Sequence, residues 1–356
     1  MDRRQKALLK RAMAVFVPLV VFLTASIVGA DVYLAHRMVN PERRAVINTP
    51  QGYEQILQKP IWDEKTWPGG GSTTMSGWLI YQDQPAPTVI LSHAFGSNRE
   101  ELLSTSFRLW DQGYNVIAYD LRGHGNSSTV RSSLGLGELD DLRATIAYAK
   151  ELKNEAGVGL SDGRIGLYGI DMGGFISLTA AADDPAIKAI AVDTIYPSQD
   201  EWYRYLTKAQ IGSTGPPGSS LVEVGAFQSL LATTLGFYGV KGSQPLTASE
   251  AFSRIGDRPS LIITSKLSPL GAYSRTAAAM APNAKVLELD RTRSGSSLIK
   301  QDAMVYDDAI VSFFTQATDF IPPARPKYTR PGEAAKAAAG GKPAAHGSAS
   351  PAPASK

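Results

Sequence analysis

Cysteine is absent from the 356 residues, which excludes a disulfide scaffold, a thiol nucleophile and a zinc site built on thiolates. Histidine is scarce: the four are His36, His93, His124 and His346. No imidazole lies between residues 124 and 346, so chemistry placed in that stretch lacks the commonest general base. A basic folded core is also missing. Residues 1–44 carry eight Lys or Arg against three acids, residues 322–356 carry six against one, and the stretch between them carries 22 against 29. The net charge of +3 therefore comes from the ends. A nucleic-acid face is basic within the fold itself, so nucleic acid is not a predicted partner. What the chain does have is apolar material, 43% of its residues. That suffices for one sizeable core and excludes a wholly disordered or collagen-like chain.

The longest apolar run is 12–30 (AMAVFVPLVVFLTASIVGA), nineteen residues without a charge. At about 1.5 Å per helical residue it nearly spans a hydrocarbon core. Pro18 is tolerable there, and Tyr33 follows where an interfacial aromatic sits. Five bases in a basic segment, 1–11, precede the run, and Arg37, Arg43 and Arg44 follow it. The bias predicts a single-pass anchor over 12–35, with 1–11 cytoplasmic and the rest on the non-cytoplasmic side of the cell (inner) membrane. The alternative is secretion after cleavage of a signal peptide, since Val28-Gly29-Ala30 supplies small residues at a cleavage site. The run exceeds the roughly 7–15 residues of a signal core, which favours the anchor. At the other end, 322–356 holds eleven Ala and seven Pro without a periodic apolar pattern. Such a segment cannot offset its ordering entropy, and it reads as a disordered tail.

Between the ends, short apolar runs at 88–92, 114–119, 165–168, 186–192, 260–264 and 286–289 alternate with helical patterns at 99–112, 138–153, 174–182 and 302–316. Unbroken apolar runs suit strands covered on both faces, hence a parallel sheet. The alternation predicts one doubly wound, mostly parallel α/β domain over 45–321. Residues 196–246 interrupt it with Gly212, Gly215, Pro216, Pro217 and Gly218 between helical patches. An insertion of this length at the strand-end face reads as a lid over a site.

Three motifs fall at strand ends: Ser92-His93-Ala94-Phe95-Gly96, Asp120-Leu121-Arg122-Gly123-His124-Gly125-Asn126-Ser127 and Tyr168-Gly169-Ile170-Asp171-Met172-Gly173-Gly174. With the lead-in SGWLIY at 76–81 and the stretch 134–150, they resemble the α/β-hydrolase superfamily, in its membrane-anchored, BEM46-like serine-hydrolase branch. The resemblance extends over about residues 52–316 and implies the α/β-hydrolase fold with a lid insertion. The third motif resembles the nucleophile elbow G-x-S-x-G, whose flanking glycines permit a strained strand-to-helix turn. By the same resemblance the backbone N–H groups of Phe95 and Met172 stand at the oxyanion-hole positions.

All three catalytic positions depart from that pattern. The nucleophile position holds Asp171, the acid position falls on Ser268, and the His position falls near Ser294. A hydroxyl nucleophile needs a positioned base, and loss of a triad member costs about 10⁴–10⁶-fold. The leading expectation is a catalytically inactive, hydrolase-like protein, a pseudoenzyme that binds an unknown small molecule or an envelope protein. The alternative is a hydrolase of esterase, dehalogenase or epoxide-hydrolase type with Asp171 as nucleophile. The fold also hosts haloalkane dehalogenases and epoxide hydrolases with Asp at the elbow, but their second step needs the missing His. His93 and His124 are expected to be structural, Asp193 is an acid with no imidazole to orient, and Arg122 is expected to brace its loop. No cofactor and no metal site is predicted. Asp171 at a helix N-terminus is also favourable in itself by roughly 0.3–1 kcal/mol.

Overall fold

The computed structural model describes residues 3–53, 60–153, 157–211, 224–240, 246–268, 270–290 and 300–318. The tail at 322–356 lies outside the described residues.

Eight strands form one sheet: β1 (Ile61–Pro68), β2 (Thr74–Tyr81), β3 (Ala86–Ser92), β4 (Asn115–Asp120), β5 (Ser161–Ile170), β6 (Ile187–Asp193), β7 (Ser260–Ser265) and β8 (Lys285–Leu289), in the spatial order β1-β2-β4-β3-β5-β6-β7-β8. β1 and β2 pair antiparallel, β2 and β4 likewise, and every later pairing is parallel. β3, β4 and β7 are buried along their whole length. That is why their sequences read as unbroken apolar runs rather than as alternation.

Nine helices are described: α1 (Arg3–Val39), α2 (Leu103–Asp111), α3 (Leu136–Lys150), α4 (Met172–Asp183), α5 (Gln199–Ile211), α6 (Gly225–Phe237), α7 (Ala248–Ile255), α8 (Gly271–Ala279) and α9 (Lys300–Ala317). On one face of the sheet, Phe107 and Trp110 of α2 pack with Tyr306, Ile310 and Phe314 of α9. The other face is covered by α3, α4, α7 and α8, together with Leu231 and Leu235 of α6 and the end of α1.

The sequence patterns find seven of the strands. β1 escapes them because its apolar content is thin (IWDEKTWP) and it sits at the edge, half in solvent. The helical pattern at 99–112 divides into a 3-10 turn (Arg99–Leu102) and α2. α7 and α8 are additional. The inserted stretch contributes α5, whose Trp202, Tyr205 and Leu206 come near Asp171 at the end of β5, and α6, which packs beside α1.

α1 outruns the expected span at both ends. It is long and apolar enough to cross a membrane, and its most apolar 18-residue window is fully exposed. Its last turns are different: Asp31, Leu34, Ala35, Met38 and Val39 are buried, the apolar four within the main core. The first helix therefore belongs to the folded body as well as projecting from it.

Candidate functional site

The sheet brings two of the motifs together. Ser92 at the end of β3 pairs with Gly169 near the end of β5, so the His93–Gly96 turn lies beside the strand-to-helix turn at Asp171. This is the crevice at the carboxyl ends of the strands where doubly wound sheets bind ligands. Asp171 has φ +56° and ψ −118°, a conformation that L residues adopt at a cost and that persists only where the surroundings enforce it. The surroundings here are backbone bonds, from Asp171 N–H to the Asp193 carbonyl at 2.8 Å and from Phe175 N–H to the Asp171 carbonyl at 3.0 Å. A Cβ on Gly173 would lie 2.3 Å from the Ser92 carbonyl oxygen, and one on Gly169 would lie 2.2 Å from that of Gly173. Only glycine lets β3, β5 and α4 meet this closely.

The Asp171 side chain is 7% exposed. Its Oδ1 accepts a hydrogen bond from the Tyr196 hydroxyl at 2.7 Å, and its Oδ2 accepts one from the Phe95 N–H at 3.3 Å. The Met172 N–H also bonds the carboxylate. Burial nevertheless outweighs these donors and pushes the carboxyl up to about 7, with the charge of Glu101 adding to the rise. Glu101 accepts from the Ala94 N–H at 3.0 Å, and burial pushes it up to about 7 as well. Consecutive amides of one turn thus serve two different acids: Ala94 holds Glu101 and Phe95 holds Asp171.

Neither nearby imidazole is directed at Asp171. The Leu121 N–H donates to His93 Nε2 at 3.0 Å, so the ring proton is on Nδ1, which bonds the Ala94 carbonyl at 2.7 Å. His124 repeats the pattern, accepting from the Gly96 N–H at 3.0 Å and donating to the Arg122 carbonyl at 2.8 Å. Burial, reinforced for His93 by His124, lowers both below the ordinary imidazole value. Both rings are neutral ties between loops.

The remaining sequence candidates disperse. Ser268 closes its own turn after β7: its N–H donates to Ser265 Oγ and its Oγ accepts from the Leu270 N–H, each at 3.2 Å. Among the described residues it makes no hydrogen bond to Asp171. Ser294 lies outside the described residues. The Asp193 carboxylate accepts from Tyr306 of α9 at 2.7 Å and from the neighbouring Thr194 at 2.5 Å. Arg122 braces its loop through both oxygens of Asp141, at 2.6 and 2.8 Å, and the Gly137 carbonyl at 2.7 Å.

Above Asp171 opens a cavity of about 650 Å³. Asp171 and Phe95 form its floor, and Trp202, Tyr205 and Leu206 of α5 form one wall. The Trp202 ring stacks on Tyr196 with centroids 4.4 Å apart and on Tyr205 at 5.7 Å. Arg37 in the last turn of α1 and Asn40, Glu42 and Arg44 in the strap just after it form the rim. That strap is tied down where the Asn98 side chain donates to the carbonyls of Arg44 and Ala45, at 3.3 and 3.1 Å. Sequence reasoning missed Glu101, Tyr196, Trp202 and the strap. The Trp202 and Tyr205 spacing of three on one helical face was the available signal for the wall; nothing local marks the strap. Among the described residues no three His, Asp or Glu are grouped to hold a metal ion.

Comparisons with known proteins agree on the architecture. The model of the X-Pro dipeptidyl-peptidase (S15) family matches residues 78–218. The uncharacterised protein YqkD of Bacillus subtilis is 30% identical over 107 residues, 30% of this chain and 33% of that one. An uncharacterised 31.7 kDa protein from the traX-finO intergenic region of Escherichia coli is 31% identical over 116 residues, 32% of this chain and 39% of its own. The chain thus spans between a third and two fifths of the curated relatives it matches. Among solved structures, the Pyrococcus furiosus esterase Pf2001 superposes with a TM-score of 0.58 at 20% identity, covering 79% of this chain and 98% of the esterase. An α/β-hydrolase from Vibrio vulnificus gives 0.53 at 18% identity, covering 83% and 94%. The chain has the α/β-hydrolase fold.

Proposed function

We propose that this is a membrane-anchored, hydrolase-like binding protein, a pseudoenzyme of the BEM46-like branch whose cavity holds a small molecule without turning it over. One observation carries the reading: the carboxylate at the elbow is bound by the donors that a reacting oxygen would need. The Phe95 and Met172 amides, which the resemblance assigns to the oxyanion hole, are occupied by Asp171 itself. A third donor, Tyr196, completes the capture. Oxyanion stabilisation requires such donors to be free for the charge that develops in the transition state. Among the described residues neither imidazole near the elbow is oriented to deprotonate a nucleophile or a water, because both ring nitrogens of His93 and of His124 bond backbone. The folded body stands on the non-cytoplasmic side, on the balance of bases flanking the span.

Full-length protein in detergent is expected to hydrolyse short-chain p-nitrophenyl esters no faster than its Asp171→Ala variant. Turnover that this substitution abolishes would overturn the proposal.

A second reading has one observation in its favour. Glu101 is a partly buried carboxyl near Asp171 that is raised to about 7, which suits a general base at neutral pH. In that reading Asp171 attacks an alkyl halide, an epoxide or an ester, and Glu101 activates the water that releases the product. Intact-protein mass spectrometry of a Glu101→Gln variant after incubation with 1-chlorohexane, styrene oxide or p-nitrophenyl butyrate tests it. A stable adduct on Asp171 supports the reading, and an unmodified mass with all three removes it.

A further inference from the structure

Helix α6 is uncharged and packs beside α1. From Gly225 to Val240 (GAFQSLLATTLGFYGV) there is no charged residue. Leu231 and Leu235 face the core, while Ala232, Thr233 and Phe237 face outward, Phe237 at 86% exposure. Its neighbour is α1, the helix proposed above to span the bilayer.

Two contacts give the direction of packing. The Thr234 hydroxyl donates to Asp31 Oδ2, and the Tyr238 ring meets the His36 ring edge-on with centroids 6.1 Å apart. Moving four residues forward on α6 accompanies moving five forward on α1, so the two helices run the same way. Backward from Thr234, nine residues remain to the start of α6, about 13 Å of helix at 1.5 Å per residue. That path runs beside the uncharged run of α1 rather than away from it. The Asp31–Thr234 bond is a polar pair between the uncharged α6 and the residue that ends the uncharged run of α1, an arrangement by which helices associate in lipid.

We infer that α6 is immersed in the bilayer beside α1, so that the inserted stretch which also supplies the cavity wall α5 is partly a membrane element. A charge-free helix with an exposed aromatic is costly in water and favourable at the lipid interface. Arg37 and Asn40, on the cavity rim, then lie at the level of the lipid headgroups. The inference rests on the anchor reading for α1, and the experiment separates the two.

The native chain has no cysteine, so single-cysteine variants need no prior substitution. Full-length Ala232→Cys and Phe237→Cys, each labelled with a nitrobenzoxadiazole dye, are reconstituted into phosphatidylcholine vesicles with or without doxyl-labelled phosphatidylcholine. Val21→Cys in α1 and Val158→Cys at the opposite end of the sheet serve as references; all four positions are exposed. The doxyl lipid is expected to quench positions 21, 232 and 237 at least threefold more than position 158, with iodide showing the reverse order. Positions 232 and 237 responding like 158 while 21 responds like lipid would overturn the inference and leave the anchor standing. All four responding alike to iodide would remove both. Protection of 232 and 237 from iodide without lipid quenching would mean that protein covers α6, and would also overturn the inference.

Discussion

At the scale of the residue, Asp171 carries the most consequence. A serine at this turn would be a small neutral group; an aspartate with 7% exposure is a buried charge that its donors only partly compensate. The pKa of about 7 sets the sign of a measurable effect. Folded and unfolded states hold the same proton below about pH 4; between about 4 and 7 the folded state keeps it and the unfolded state does not, so stability falls as pH rises. Each pKa unit corresponds to about 1.4 kcal/mol, so the loss attributable to this one carboxyl is on the order of 4 kcal/mol. Asp171→Asn, which does not titrate, is expected to lose less stability than the native chain between pH 4.5 and 7.5, by chemical denaturation in detergent. Equal pH profiles would show that Asp171 is ionised at little cost. Asp171→Ser is expected to gain no ester turnover, since the two imidazoles near it among the described residues, His93 and His124, both bond backbone through both ring nitrogens. The identity of this residue was legible in the sequence; its capture was not. Tyr196 is 25 positions away, in an insertion whose path depends on tertiary packing rather than on local pattern.

At the scale of the element, the elbow and α6 contrast in their tolerance. Adding a methyl group at Gly173 drives a carbon to 2.3 Å from the Ser92 carbonyl oxygen, where neither partner can move without breaking the β3–β5 pairing. Gly173→Ala is expected to cost more than about 4 kcal/mol, at the exceptional end for single substitutions. Gly236 in α6 has nothing within 4 Å of the added carbon, and Gly236→Ala is expected to stabilise by roughly 0.5–1 kcal/mol. Thermal melts of the two variants check both signs, and an unchanged Gly173→Ala would deny the close approach. The central strands and the main helices were readable because burial on both faces leaves an unbroken apolar signature. β1 was not, since IWDEKTWP joins the sheet only through its edge with β2. The Phe95 and Met172 amides, singled out by motif register, both reach the Asp171 carboxylate, because backbone geometry follows the turn. Ser268 and Ser294 had only register to place them, and Ser268 bonds within its own loop.

At the scale of the whole molecule, the N-terminal helix and the hydrolase-fold body are not separable parts. Cutting after Ala30 leaves the buried stretch from Asp31 to Val39 in place, whereas a chain beginning at Asn40 removes it. Fully burying a Leu, Met or Val contributes about 1.5–3 kcal/mol, so losing Leu34, Met38 and Val39 costs on the order of 5 kcal/mol, an upper estimate because unfolded chains are already partly collapsed. The chain starting at Asp31 is expected to unfold cooperatively, and the one starting at Asn40 to be destabilised by several kcal/mol or to aggregate. Equal denaturation midpoints would show that the helix end contributes nothing. The same arrangement constrains biogenesis. Residues 31–39 are synthesised before their partners: Met38 meets Thr207 of α5 and Asp31 meets Thr234 of α6, each more than 150 residues further along the chain. Until then Leu34, Met38 and Val39 have no surface to close on, so this corner of the core is completed late in folding, by segments far behind it in the chain.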